Sequence, residues 1–218
     1  MSPWVYWCGG RISRVLLTTL LAILYVGQAT AMAAEPTPRP PDLAAAGQKA
    51  LMAFLPALDS PSMKETHGFA PDDDFKQIVL GEPFEPFYLN PKGIAKFADG
   101  KVADVLEPSA SWYFPVMSRE KLACLVAVIK TDEGTLMEEK LGMPELARAW
   151  AAINAAWPAG KGYTPLFIIV PSRQRFFFTV PQAEPSNMTS ISIENKDSAL
   201  PGTYARLTPA QTAFNSLR

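Results

Sequence analysis

The chain holds one histidine, His67, and the stretch HGFAPDDDF places it just ahead of Asp72, Asp73 and Asp74. A histidine oriented by a carboxylate is a general base, so His67 with Asp72 to Asp74 and a nearby serine defines one chemical reading, a hydrolase. The same acids define a second, an oxygen-ligated cation corner. Calcium loops alternate their acids around a fixed glycine and close on a distal glutamate, whereas three successive aspartates point in different directions. A third reading needs no chemistry: aspartate accepts the free amides at a helix start, and Asp74 stands directly before Phe75. Nothing else in the sequence supports catalysis, since G-x-S-x-G, G-x-G-x-x-G, P-loop and C-x-x-C patterns are all absent.

Zinc needs three or four His, Cys or carboxylate ligands in a recognisable spacing, and His67 and Cys124 stand alone. No metal and no cofactor is therefore expected. Cys124 lies in KLACLVAVIK, apolar on both sides, where a cysteine behaves as a small buried hydrophobe with little thiolate. The other cysteine, Cys8, falls in the first 33 residues.

Those residues read as an export signal. Arg11 and Arg14 precede the apolar run Val15 to Val26, and small residues follow at Ala29, Ala31 and Ala33. The run is shorter than the roughly 20 apolar residues of a spanning helix. A signal peptide over residues 1–33 is expected, cut after Ala33 or after Ala31, with an uncleaved anchor as the alternative; both place the remainder outside the cytoplasm. Removing residues 1–33 leaves 18 basic and 21 acidic residues, a net charge of −3, with the basic ones scattered. Such a surface has no field for phosphates, so nucleic acid is not an expected partner. With one cysteine left, no internal disulfide forms, and about 185 residues must hold together through a core.

Residues 34–41 form a proline-rich leader that reads as an extended spacer. Residues 42–218 read as one α+β domain. Asp42 is placed to cap a helix over LAAAGQKALMAFL, which Pro56 ends. Asp59 to Asp74 reads as a loop and FKQIVL as a short turn or strand. FEPFYL (84–89) and WYFPV (112–116) alternate as strands, and VADVL (102–106) is a weaker candidate. LACLVAVIK (122–130) is apolar on both faces, as in a central strand, and it joins WYFPV by a hairpin. TLMEEKL (135–141) follows a turn at Thr131 to Gly134. Pro144 to Trp157 is the strongest helix, with Leu146, Trp150, Ile153 and Trp157 on one stripe. PLFIIV and FFFTV make a second hairpin, Ile191 and Ile193 mark a further strand, and Thr208-Pro209 opens a C-terminal helix.

Proline has no amide hydrogen, so Pro115 and Pro86 place their strands at edges or bulges. Alternation sends Trp112 and Phe114 to one layer, expected to meet Trp150 and Trp157, and turns Tyr113 the other way. Tyr113 and Tyr88 are the candidate binding residues, as an exposed aromatic patch. The expected fold is a curved antiparallel sheet packed against one long helix, with additional N- and C-terminal helices. The expected function is an exported, periplasmic or secreted, non-enzymatic binding or accessory domain whose partner is an envelope or extracellular protein. The hydrolase of His67 with Asp72 to Asp74 is the alternative. Asn187-Met188-Thr189 matches a glycosylation triplet, which matters only in a eukaryotic source.

Overall fold

Residues 38–97, 102–183, 187–191, 204 and 207–217 are described in this computed structural model. The expected signal peptide, residues 34–37 of the leader and Cys8 lie outside them, as does the side chain of Asn187. In chain order the elements are α1 (Leu43–Phe54), α2 (Pro61–Thr66), β1 (Ile78–Leu80), β2 (Phe87–Tyr88), α3 (Pro91–Lys96) and β3 (Glu107–Pro108). Then come β4 (Ser111–Ser118), β5 (Lys121–Lys130), β6 (Leu136–Gly142), α4 (Pro144–Ala156), β7 (Leu166–Val170), β8 (Arg175–Thr179), β9 (Asn187–Ile191), β10 (Thr208–Pro209) and α5 (Ala210–Asn215).

The fold is α+β, built on two sheets. The first has the order β1-β4-β5-β6 and is antiparallel throughout. The second, β10-β9-β8-β7-β2-β3, is antiparallel except for the β2–β7 pair. One sheet on one long helix was expected. Instead two helices of similar length, α1 and α4, cover opposite faces of the first sheet. The reason is visible in β5: apolar on both faces, it must be covered twice.

Under α1, the face carrying Trp112, Phe114, Val116, Val126 and Val128 packs with Leu43, Ala50, Leu51 and Leu55. On the other face Tyr113, Leu125 and Ala127 meet Leu146, Ala149 and Ile153 of α4, together with Phe167 and Phe178 from the second sheet. The outer face of the second sheet is closed by α3 and α5, through Ile94 and Phe214 on Phe87, Ile168 and Phe177. Trp112 and Phe114 therefore belong to the α1 side and do not join Trp150 and Trp157 as expected. Trp112 and Phe114 do share one face of β4, but a sheet covered on both faces does not say which helix lies on which.

Pro115 does not mark an edge. Strand β4 runs between β1 and β5, and the proline sits where the neighbouring chain leaves the ladder. Gly81 donates its amide to the Pro115 carbonyl at 2.7 Å, the chain swings out over Glu82 and Pro83, and pairing resumes at Phe84 opposite Tyr113. The missing amide faces that excursion, where no strand is paired with it. A register shift at Val116/Met117, where Ala123 is the extra residue of β5, lies beside it. Pro86 is likewise internal: β2 has β7 on one side and β3 on the other, and the Pro86 carbonyl accepts the Ser109 amide at 3.1 Å.

Smaller differences have local causes. Asp42 stands at the start of α1 but makes no side-chain cap. Within the expected loop, Ser60 caps α2 by accepting the Met63 amide, and Pro61 occupies its first turn. Val102–Val105 is a 3-10 turn, not a strand. Thr208-Pro209 pairs with β9 before α5 begins, and Pro209 stands at the N-cap of that helix.

Candidate binding cleft

Phe84 is held by two backbone hydrogen bonds to Tyr113, its amide to the Tyr113 carbonyl at 3.0 Å and the reverse at 2.9 Å. Pro83 before it and Pro86 after it restrict the chain on both sides. Its ring lies flat on the indole of Trp150, with centroids 3.8 Å apart and planes inclined by 17°. Trp150 lies on the α4 stripe, but only Leu146 and Ile153 of that stripe are fully buried. Trp150 and Trp157 are half-buried on its flank. The Trp157 indole N–H donates to the Tyr204 carbonyl at 2.7 Å, and Tyr163 packs edge-on against Trp157.

Phe84, Trp150 and Tyr163 line a cleft of about 550 Å³ together with Pro38, Arg39, Leu166 and Phe167. Its polar groups are few and already engaged. Asn154 donates from Nδ2 to the Trp150 carbonyl at 2.7 Å, and Arg39 donates to Glu82 and to the Pro83 carbonyl, both at 3.1 Å. A cleft of this size with aromatic walls offers apolar area and ring faces for stacking.

The residues singled out from sequence are placed differently. Tyr113 is buried, with 8% of its surface exposed, and packs edge-on against Phe84 at 5.8 Å. It is not displayed to a partner, because its face of β4 is the one covered by α4 and the second sheet. Tyr88 is half-buried in β2. Burial raises both phenols above their ordinary pKa, and the Glu139 carboxylate raises them further. The structure thus brings Tyr88, Tyr113 and Glu139 into one electrostatic neighbourhood. Glu139 is the extra residue of a bulge in β6, opposite Ala127 and Val128.

His67 does not meet the aspartates as a base meets its carboxylate. Its Nδ1–H donates to the Met63 carbonyl at 2.8 Å, and its ring edge lies against Gly142. The aspartates are used elsewhere. Asp72 receives Arg119 at 2.9 Å, and this guanidinium holds its carboxyl below the usual range. Asp73 accepts the Ala70 amide at 2.8 Å, and Asp74 caps the next turn at Lys76. Lys64 reaches the Pro71 and Asp73 carbonyls and lies over the Phe75 ring. The acidic corner is thus occupied by two cations of the protein itself. Among the described residues no three His, Cys, Asp or Glu side chains gather as a metal site. Cys124 is fully buried, and that burial pushes its thiol up to about 12.

No family model, curated protein or solved structure matches this chain. Among the described residues no helix is long and apolar enough to cross a membrane.

Proposed function

We propose that the protein is an exported, non-enzymatic binding or accessory module for a partner in the envelope or outside the cell, and that the cleft at Phe84 and Trp150 is its contact site. The observation that carries this reading is the Phe84–Trp150 stack in the wall of an apolar cleft. Two large rings left half-open at the join between the sheets provide stacking surface whose burial by a ligand is favourable. The export signal over residues 1–33 and the leader over residues 34–41 belong to the same proposal. Tyr113 serves the site from beneath by supporting Phe84, and Tyr88 contributes at the surface of β2.

The test is a titration with the uncharged fluorophore N-phenyl-1-naphthylamine. Saturable one-to-one binding is expected, with Trp150 emission quenched by transfer to the dye. Trp150→Ala should abolish it. Because that variant also loses packing, Ala159→Trp serves as a second one: Ala159 is an exposed cleft residue, and a bulky ring there fills the space without touching the core. Dye binding left intact in a folded Ala159→Trp protein, or no saturable binding by the wild type, overturns the reading.

A further inference from the structure

We infer that the ligand of this cleft is an extended, proline-rich segment carrying a basic residue, and that the chain's own Pro38–Pro41, which borders the cleft and pairs with Glu82, is a built-in competitor for it. The inference rests on the cleft being a binding site, and it names what is bound.

The described part of the leader is Pro38-Arg39-Pro40-Pro41. Pro38 and Arg39 line the cleft at Trp150, while Arg39, Pro40 and Pro41 line a second depression of about 490 Å³ that runs beside β1 to Leu43. Arg39 and Pro83 are common to both. The segment is therefore a strap across one longer trough, and its anchor is a single side chain. The Arg39 guanidinium donates Nη1 to the Glu82 carboxylate and Nη2 to the Pro83 carbonyl, each at 3.1 Å. A carboxylate and a carbonyl side by side present a pair of acceptors matched to a planar two-pronged donor. Beyond Pro40, whose carbonyl accepts the Leu43 amide, the chain enters α1.

The chemistry of the seat selects its occupant. Proline-rich segments are extended before they bind, lose little entropy on docking and lay their rings on aromatic walls. Phe84, Trp150 and Tyr163 provide such walls. The acid Glu82 lies at the strap, with Glu85 in the adjacent wall, so the charge complement is a cation between prolines, which is what Arg39 supplies. The strap is lightly held: Pro38, Arg39 and Pro41 are exposed, and the Glu82 side chain is 89% exposed. Ion pairs this open to water are weak, so a segment of the same chemistry from another chain displaces the strap.

The experiment uses the full chain and a synthetic heptapeptide with the sequence of Glu35–Pro41, followed through the Trp150 indole N–H resonance, which Trp150→Phe assigns. The peptide is expected to shift that resonance saturably in Arg39→Ala, with affinity up to about fivefold higher than in the wild type, the most that an exposed ion pair normally contributes. Replacing the peptide's arginine by glutamate weakens binding to Arg39→Ala severalfold. Adding Glu82→Arg to Arg39→Ala reverses the order, so that the glutamate peptide binds more tightly than the arginine peptide. Equal affinity in Arg39→Ala and wild type overturns the built-in competitor. Binding indifferent to the charge exchange, or absent from Arg39→Ala, overturns the ligand class. The dye titration separates the two levels: dye bound at Trp150 without peptide binding sinks this inference alone, and loss of both sinks the cleft reading with it.

Discussion

The rings of Phe84 and Trp150 lie parallel at 3.8 Å, joining an irregular segment of one sheet to the helix between the two sheets. Phe167 meets Phe84 edge-on at 6.3 Å, and Phe178 lies 5.9 Å from Trp150, so the pair connects β4, α4 and the second sheet. Trp150→Ala deletes this joint. Because the indole is half-buried, the expected loss is below the 3–5 kcal/mol of a fully buried tryptophan, at about 2 kcal/mol. Urea unfolding measures it. In a double-mutant cycle Phe84→Ala and Trp150→Ala should show a coupling of about 1 kcal/mol from the stack itself. Strict additivity would mean that the two rings touch without supporting one another.

Gly47 gives a prediction whose sign is opposite to the general rule. Glycine inside a helix normally destabilises by about 0.5–1 kcal/mol relative to alanine, so Gly47→Ala in α1 ought to help. A Cβ at that position would stand 2.6 Å from Cζ of Phe114 and 2.8 Å from both Cε atoms. The Phe114 ring is buried, with 2% exposure, so the added methyl meets it inside the core. Overpacking of this kind costs about 1–3 kcal/mol, more than the helix gains. Gly47→Ala should therefore lower stability in denaturant unfolding, and Phe114→Leu in the same chain should recover part of the loss. A stabilised Gly47→Ala protein would show that α1 packs less closely on the sheet than described.

That glycine also marks the limit of what was legible in the sequence. The period of α4, the two-sided apolar run of β5 and the β7–β8 hairpin follow from local patterns, and each forms near its expected bounds. Two short helices outside the expected elements carry equally legible local signals. Ser60-Pro61 and Asn90-Pro91 both place a capping side chain before a first-turn proline, and Asn90 accepts the Gly93 amide at 2.7 Å. What local pattern does not contain is pairing at a distance. The parallel β2–β7 contact splits the strands into two sheets, and residues either side of α4 have to meet before the cleft exists. Phe84 and Trp150 were each visible as apolar residues; their meeting was not. Tyr113 was assigned the correct side of its strand, yet its exposure depended on which elements cover that side.

Cys124 should be silent at neutral pH. Its sulfur is fully buried, and desolvation pushes the thiol from an ordinary value of 9 up to about 12, with a Gly142 backbone hydrogen bond opposing this. A thiol reagent at pH 8 should label Cys124 of the native protein only at its opening rate and that of the urea-unfolded chain at once. The linkage has a definite sign. Below pH 9 the thiol is protonated in both states, and stability is unaffected. Above it the unfolded chain ionises first, so stability falls as pH rises from 9 to about 12, by at most about 1.4 kcal/mol per pH unit from this group. The raised phenol of Tyr113 adds to the fall above pH 10. Cys124→Ala costs a small cavity at every pH but flattens the alkaline slope; an unchanged slope would mean that the thiol is open to solvent.

The turn between β4 and β5 carries a strain that a single substitution relieves. Arg119 and Glu120 both have positive φ, 48° and 65°, the conformation of a two-residue hairpin turn that favours Asn-Gly or Asp-Gly. Neither is a residue that adopts it readily. Glu120→Gly removes the steric cost at the second position and should raise stability by up to about 1 kcal/mol, net of the greater freedom glycine brings to the unfolded chain. Arg119→Gly relieves similar strain but should not gain in the same way, because Arg119 donates to the Asp72 carboxylate at 2.9 Å and to the Asp72 carbonyl at 2.6 Å, fastening the acidic loop to the hairpin. Paired thermal melts of the two variants decide the point. Stabilisation by Glu120→Gly together with no gain, or a loss, for Arg119→Gly assigns the strained turn its purpose, which is to hold Arg119 over the aspartates. Equal gains in both would leave the guanidinium contact without energetic consequence.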